Sequence, residues 1–142
     1  MTPRTMRRAY LRDAAFMLVL AKVAVRVLPA SNLFAWANRP GRRVSRFAGE
    51  EARWVAWSVE TMGRKPWLNL SCLPQALAAQ AMLRRRGVSS RLCLGVAQDE
   101  GILAAHAWVE VGKDVIIGGT DTARFARLAE FGGNAFPSGL PK

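Results

Sequence analysis

Three side chains stand out for the chemistry they could do together: Cys72, His106 and Asp121. A thiol, an imidazole and a carboxylate are the groups of nucleophilic acyl chemistry. The thiolate attacks a carbonyl, the imidazole moves the proton, and the carboxylate orients the imidazole. The chain has one histidine and two cysteines, too few for a Cys/His zinc site, and nothing in the reading calls for a cofactor. The same two cysteines exclude a disulfide scaffold.

These groups need elements to hold them. Ser71 reads as an N-cap, and Leu73, Ala76, Leu77, Gln80 and Ala81 form a helical stripe behind it. Arg84-Arg85-Arg86-Gly87 closes that helix with cations in the last turn and glycine at the left-handed position. Cys72 therefore starts a helix, where unpaired amides favour a thiolate and can donate to an oxyanion. After Gly87 the period changes. Leu92, Leu94 and Val96 alternate as in a strand, residues 98–101 turn, and Ile102 to Val111 form a second strand carrying His106. Gly112-Lys113 is a tight hairpin connection, and Val115 to Ile117 return until Gly118-Gly119. The return brings residues 118–121 beside His106, and with them Asp121. Each member also has a plainer reading. Cys72 could be a small buried hydrophobe, His106 a hydrogen-bonded structural residue, and Asp121 the cap of a last helix. Asp114 competes as the carboxylate from the far end of the hairpin. Cys93 reads as core.

The front of the chain reads as helical. Phe16, Val19, Leu20, Val23 and Val27 recur at helical spacing, with Arg12, Lys22 and Arg26 largely off the stripe. Residues 5–28 are expected to form a helix ended by Pro29 that covers the core, with membrane-surface binding as the lesser reading. Arg4, Arg7 and Arg8 before an apolar run superficially resemble a signal peptide, but no clean cleavage site follows. The uncharged run between Asp13 and Lys22 is far short of the ~20 residues of a membrane span. Asn38, Pro40 and Gly41 mark a loop. Glu50 to Met62 form a second helix with Trp54, Trp57 and Thr61 on one face, and Pro66 stops the pattern. A short helix is expected over Ala123 to Glu130, then a poorly ordered tail over 131–142. Helices followed by an antiparallel meander make an α+β fold. One domain spans 1–130, with a helical front over 1–62 and the catalytic helix and strands over 66–122.

Several blocks carry a family resemblance: Cys-Leu-Pro-Gln-Ala-Leu (72–77), Leu83-Arg-Arg-Arg-Gly87-Val88, Gly95-Val96 and Ala105-His-Ala-Trp-Val-Glu-Val111. So do Ala21 to Pro29 and Trp54 to Trp67. Together they resemble the transglutaminase-like leader peptidase of bacterial lasso-peptide biosynthesis, over nearly the whole chain. The resemblance implies a papain/transglutaminase-like fold and a cytoplasmic cysteine peptidase that removes the leader from a ribosomally made precursor peptide. Cys72 would be the nucleophile, His106 the general base and then acid, and Asp121 the residue orienting it. Trp67 and Asn69 precede the nucleophile where an oxyanion-hole or substrate-wall residue could sit, with plain packing the simpler reading for Trp67. Trp108 would back the site. A helical part that begins almost at Met1 leads us to expect the stand-alone form, served by a separate leader-recognition protein. A separate ATP-dependent lasso cyclase would act next. Alternatives are another transglutaminase-like acyl transferase or a basic non-enzymatic adaptor.

Charge narrows the partners. The 142 residues carry a formal net charge of +11, and 51% are hydrophobic, which excludes disorder as the default. Residues 1–91 hold 17 basic and 4 acidic side chains, and residues 92–142 hold 4 and 6. Such a front half suits nucleic acid, anionic lipid or an acidic peptide or protein. Three of the arginines end a helix, and the rest fit an acidic leader peptide or partner protein better than a duplex, so no nucleic acid is expected. Charge reversal at Arg42, Arg43 and Arg46 is therefore expected to weaken capture of the recognition protein in a pull-down.

Overall fold

The computed structural model describes residues 2–39, 48–119 and 122–132. Arg42, Arg43, Arg46, Asp121 and the segment 133–142 lie outside them. Helix α1 (Pro3–Val27) starts where Thr2 accepts the Thr5 amide on its side chain at 3.2 Å, with proline in the first turn. Then come α2 (Ala30–Ala37), α3 (Ala48–Gly63) and α4 (Cys72–Arg85). Strands β1 (Arg91–Asp99), β2 (Ile102–Val111) and β3 (Asp114–Ile117) follow. A 3₁₀ turn at Thr122–Arg124 leads into β4 (Ala126–Gly132), and the sheet has the order β3-β2-β1-β4. All three pairings are antiparallel. Among the described residues, four helices before a small antiparallel sheet make the α+β arrangement expected of a transglutaminase-like fold.

Helix α4 is the axis of the molecule. Pro74, Ala76 to Gln80, Met82 and Leu83 are buried, so the helix is covered on nearly every side rather than along one stripe. Its small residues let α1, α3 and the sheet approach together. Its end is as the sequence indicates: Gly87 takes φ +73°, and the Val88 amide donates to Leu83 O at 2.9 Å. The three arginines do more than meet the helix dipole. Arg84 donates to Trp36 O, Ala37 O and Arg39 O, closing the end of α2. Arg85 and Arg86 pair with Asp13 of α1, and Arg86 lies over the Tyr10 ring.

Three expectations need correction. The apolar stripe of α1 does not cover the core. Ala14, Met17, Leu18 and Ala21 face inward, while Phe16, Val19, Leu20, Val23 and Val27 are 48–72% exposed. Two alanines on the inner face allow close packing on α3 and α4, and that closeness decided the orientation. Helix α2 fills a stretch with no expected element, because eight residues are too few for a periodic signal. The helix expected over 123–130 is mostly strand: β4 pairs with the open edge of β1, as in Leu92↔Phe131 and Cys93↔Glu130. Ladder hydrogen bonds to an open edge outweigh local helix propensity there.

On β2, side chains alternate between two faces. Ala107 and Val109 join the core shared with α4, while Trp108 is buried on the other face with Cys93. Its ring lies over Gly95, where an added Cβ would stand 2.9 Å from two ring carbons and 3.0 Å from Ala126 O. Gly95→Ala is expected to lower unfolding free energy by about 1–3 kcal/mol through this overpacking, read as a smaller urea midpoint with altered tryptophan fluorescence.

Candidate functional site

Cys72 is the first residue of α4 and is partly buried against the helical core. Ser71 holds the N-cap position with extended backbone (φ −83°, ψ −179°), yet its side chain makes no capping hydrogen bond. A helix leaves its first amides without intrahelical partners, and Pro74 has no N–H to offer. The Cys72 and Leu73 amides are thus donors without a side-chain cap, at the thiol that would attack a carbonyl. A tetrahedral oxyanion on that carbonyl is the group such donors stabilise.

His106 sits in mid-β2, opposite Gly95. Its Nε2 lies 2.8 Å from Gly118 O. A carbonyl oxygen only accepts, so Nε2 carries the proton and donates it. In the neutral ring Nδ1 is then the basic nitrogen. Gly118 is suited to this approach: its φ is +72°, and an added Cβ would lie 2.9 Å from Ala107 O and 3.2 Å from His106 Nε2. The ring is held from two more sides. Trp108 stacks on it with centroids 5.9 Å apart, and Phe125 tilts against it at 5.0 Å.

Trp108 is fixed in turn. Its indole N–H donates to Glu110 Oε2 at 2.9 Å, and the same oxygen accepts from Arg127 at 2.6 Å. Glu110 Oε1 accepts from Arg91 at 3.0 Å. Burial alone would raise the Glu110 carboxyl pKa, but the Trp108 and Arg91 hydrogen bonds and the Arg127 charge outweigh it, and the net shift is downward. Arg127 also pairs with Glu130 and lies over the Trp108 ring at 5.7 Å.

Cys93, Glu110 and Glu130 offer ligand atoms within 4.8 Å of one another. That donor set does not suit a cation. Both carboxylates are already engaged by arginines, and burial foremost, with Glu110 next, pushes the Cys93 thiol up to about 12. Cys93 is fully buried, as a core residue should be.

The structure brings the Gly118 end of the returning strand to His106 and stacks Trp108 on the ring. Among the described residues no hydrogen bond joins Cys72 to His106. Trp67 is 70% exposed, so it does not pack in the core, and plain packing does not account for it. Asn69 is exposed with φ +46°, and Lys22 Nζ donates to Leu68 O between them at 2.5 Å. Asp114 pairs with Val111 at the far end of the hairpin from His106. Sequence reasoning brought residue 118 beside His106 but missed the role of the Gly118 carbonyl, and it missed Phe125 and Glu110. Glu110 had a signal, because the period of two puts positions 106, 108 and 110 on one face. A backbone carbonyl had none.

A family model described as the transglutaminase-like superfamily matches residues 14–130. Comparison with curated proteins and with solved structures gave no match.

Glu110→Gln removes the charge that two arginines share and is expected to cost about 1–3 kcal/mol at neutral pH. The folded-state carboxyl pKa is depressed, so its contribution is complete above the unfolded value and lost as pH falls through the folded one. The urea-midpoint difference between wild type and Glu110→Gln should shrink as pH falls below ~4; a difference independent of pH would remove Glu110 ionisation as its source.

Proposed function

The chain belongs to the transglutaminase-like superfamily, and on that premise we propose that it is a cysteine peptidase that removes the leader from a ribosomally made lasso precursor peptide. The observation that carries the chemistry is the His106 ring, held with Nε2–H on Gly118 O so that Nδ1 is free to take a proton. The narrower assignment rests on the sequence blocks around Cys72 and His106, which resemble the lasso leader peptidases.

In this mechanism Nδ1 accepts the Cys72 proton and the thiolate attacks the carbonyl at the leader–core junction. A C–S bond forms, and the oxyanion is met by the amides of Cys72 and Leu73. The imidazolium returns its proton to the departing amine, the C–N bond breaks, and the core leaves with a free N-terminus. Nδ1 then takes a proton from water, whose oxygen attacks the thioester and releases the leader as a carboxylic acid with the thiol restored. Gly118 O holds the ring through these steps, and Asp121, three residues on, would add a carboxylate to the same end. Trp67, large and exposed before the nucleophile, is the proposed substrate wall, with Asn69 beside it. A separate recognition protein would present the leader, and an ATP-dependent cyclase would condense the freed core into its ring. No helix among the described residues is long and apolar enough to cross a membrane, and a cytoplasmic location forms part of this proposal.

Cys72→Ala and His106→Ala are each expected to lower precursor cleavage by about 10³-fold or more with the circular dichroism spectrum unchanged. Mass spectrometry of the products decides the reaction class: free leader and free core support hydrolysis, and a leader adduct to an amine would establish transfer instead.

A further inference from the structure

Helix α1 presents two apolar faces, and the core uses only one. On the other, Phe16, Val19, Leu20, Val23 and Val27 stand 48–72% exposed along three turns. One side of this stripe is bordered by Arg8 and Arg26, eighteen residues apart on one flank, and Arg12, four residues before Phe16, continues the stripe toward the N-terminus. All three are exposed, and no hydrogen bond or ion pair engages them among the described residues. The helix has one acidic side chain, Asp13, and it is turned to Arg85 and Arg86 of α4. The outward surface of α1 is therefore hydrocarbon edged by free guanidinium groups, with no anion on it.

We propose that this face is an interfacial helix that lays the protein on an anionic lipid bilayer. An apolar stripe with a cationic border places its hydrocarbon at the acyl boundary and its charges among phosphate headgroups. The adjoining groove argues for lipid over an acidic peptide. It is an apolar cavity of about 530 Å³ between α1, α2 and α4, sharing Leu20 with the stripe. Its arginines are already committed, Arg84 to three carbonyls of residues 36–39 and Arg85 to Asp13. Among the described residues an acidic peptide in that groove would meet no free cation, whereas the free cations border the convex stripe, where a planar headgroup layer can reach them. The helix is too polar to cross the bilayer, so it lies along it. This placement is independent of the peptidase reading.

The test is co-sedimentation of the purified full chain with vesicles of phosphatidylcholine alone or mixed with phosphatidylglycerol. Binding to the anionic vesicles only, weakening with added salt, is expected. Val23→Asp with Val27→Asp should lower the bound fraction about tenfold or more. Arg8→Gln with Arg12→Gln and Arg26→Gln should weaken binding and flatten its salt dependence. Both sets alter exposed side chains, and circular dichroism checks that the helices persist. Wild-type protein that stays in the supernatant with anionic vesicles overturns the proposal. So does binding that the aspartate pair leaves intact, which would assign it to basic charge elsewhere. A solution dimer that the aspartate pair splits, with no vesicle binding, would make the stripe a contact between copies and overturn it equally.

Discussion

The burial of α4 is the constraint from which the rest of this structure follows. Such a helix leaves orphan backbone groups at both ends, and the two ends of α4 treat theirs differently. At the C-terminus, Arg84, Arg85 and Arg86 reach across to α2 and α1 and tie both to the axis. At the N-terminus the side chain in the cap position makes no such bond, and the first residue is Cys72. An uncapped helix start forgoes about 1 kcal/mol. The same bare amides are what an oxyanion requires. The last carbonyls of α4 are met by Arg86 on Met82 O and the Val88 amide on Leu83 O, whereas its first amides are left without a side-chain cap.

His106 depends on the sheet in a comparable way. Its strand presents one face to α4 through Ala107 and Val109 and the other through His106, Trp108 and Glu110. Trp108 can lie flat beside the imidazole only because residue 95 has no side chain, and it stays there because Glu110 takes its N–H. Glu110 can remain charged while buried because Arg91 and Arg127 flank it. The imidazole is therefore oriented through packing, a hydrogen bond and an ion pair in series, from neighbours on β1, β2 and β4. Removing any one leaves an unfilled volume or an unpaired charge beside the ring.

What the sequence made legible was local. Ser71 to Gly87 marked α4 within a residue, because caps and a left-handed glycine are written in side-chain types. The hairpin through Gly112-Lys113 was legible for the same reason, and with it the arrival of Gly118 at His106. Pairing at a distance was not. Residues 126–130 have helix-compatible composition, and only the open edge of β1 makes them a strand. Nor could residue types show that a backbone oxygen would hold the ring.

Helix α1 marks a different limit. Its periodicity correctly announces an amphipathic helix, but a helix with two apolar stripes does not say which one faces inward. Depth of contact decides it. Ala14 and Ala21 let the backbone of α1 approach its neighbours closely, and Tyr10 then reaches Trp54 at a centroid distance of 5.7 Å. Turning the larger residues inward would hold the helices farther apart and break that seam, along with the Asp13 pairs to α4. The greater apolar payload is left outside for the sake of closer packing within. A surface that keeps several large hydrocarbon groups in water, edged by arginines with no partner of their own, is poised to bury them against something else.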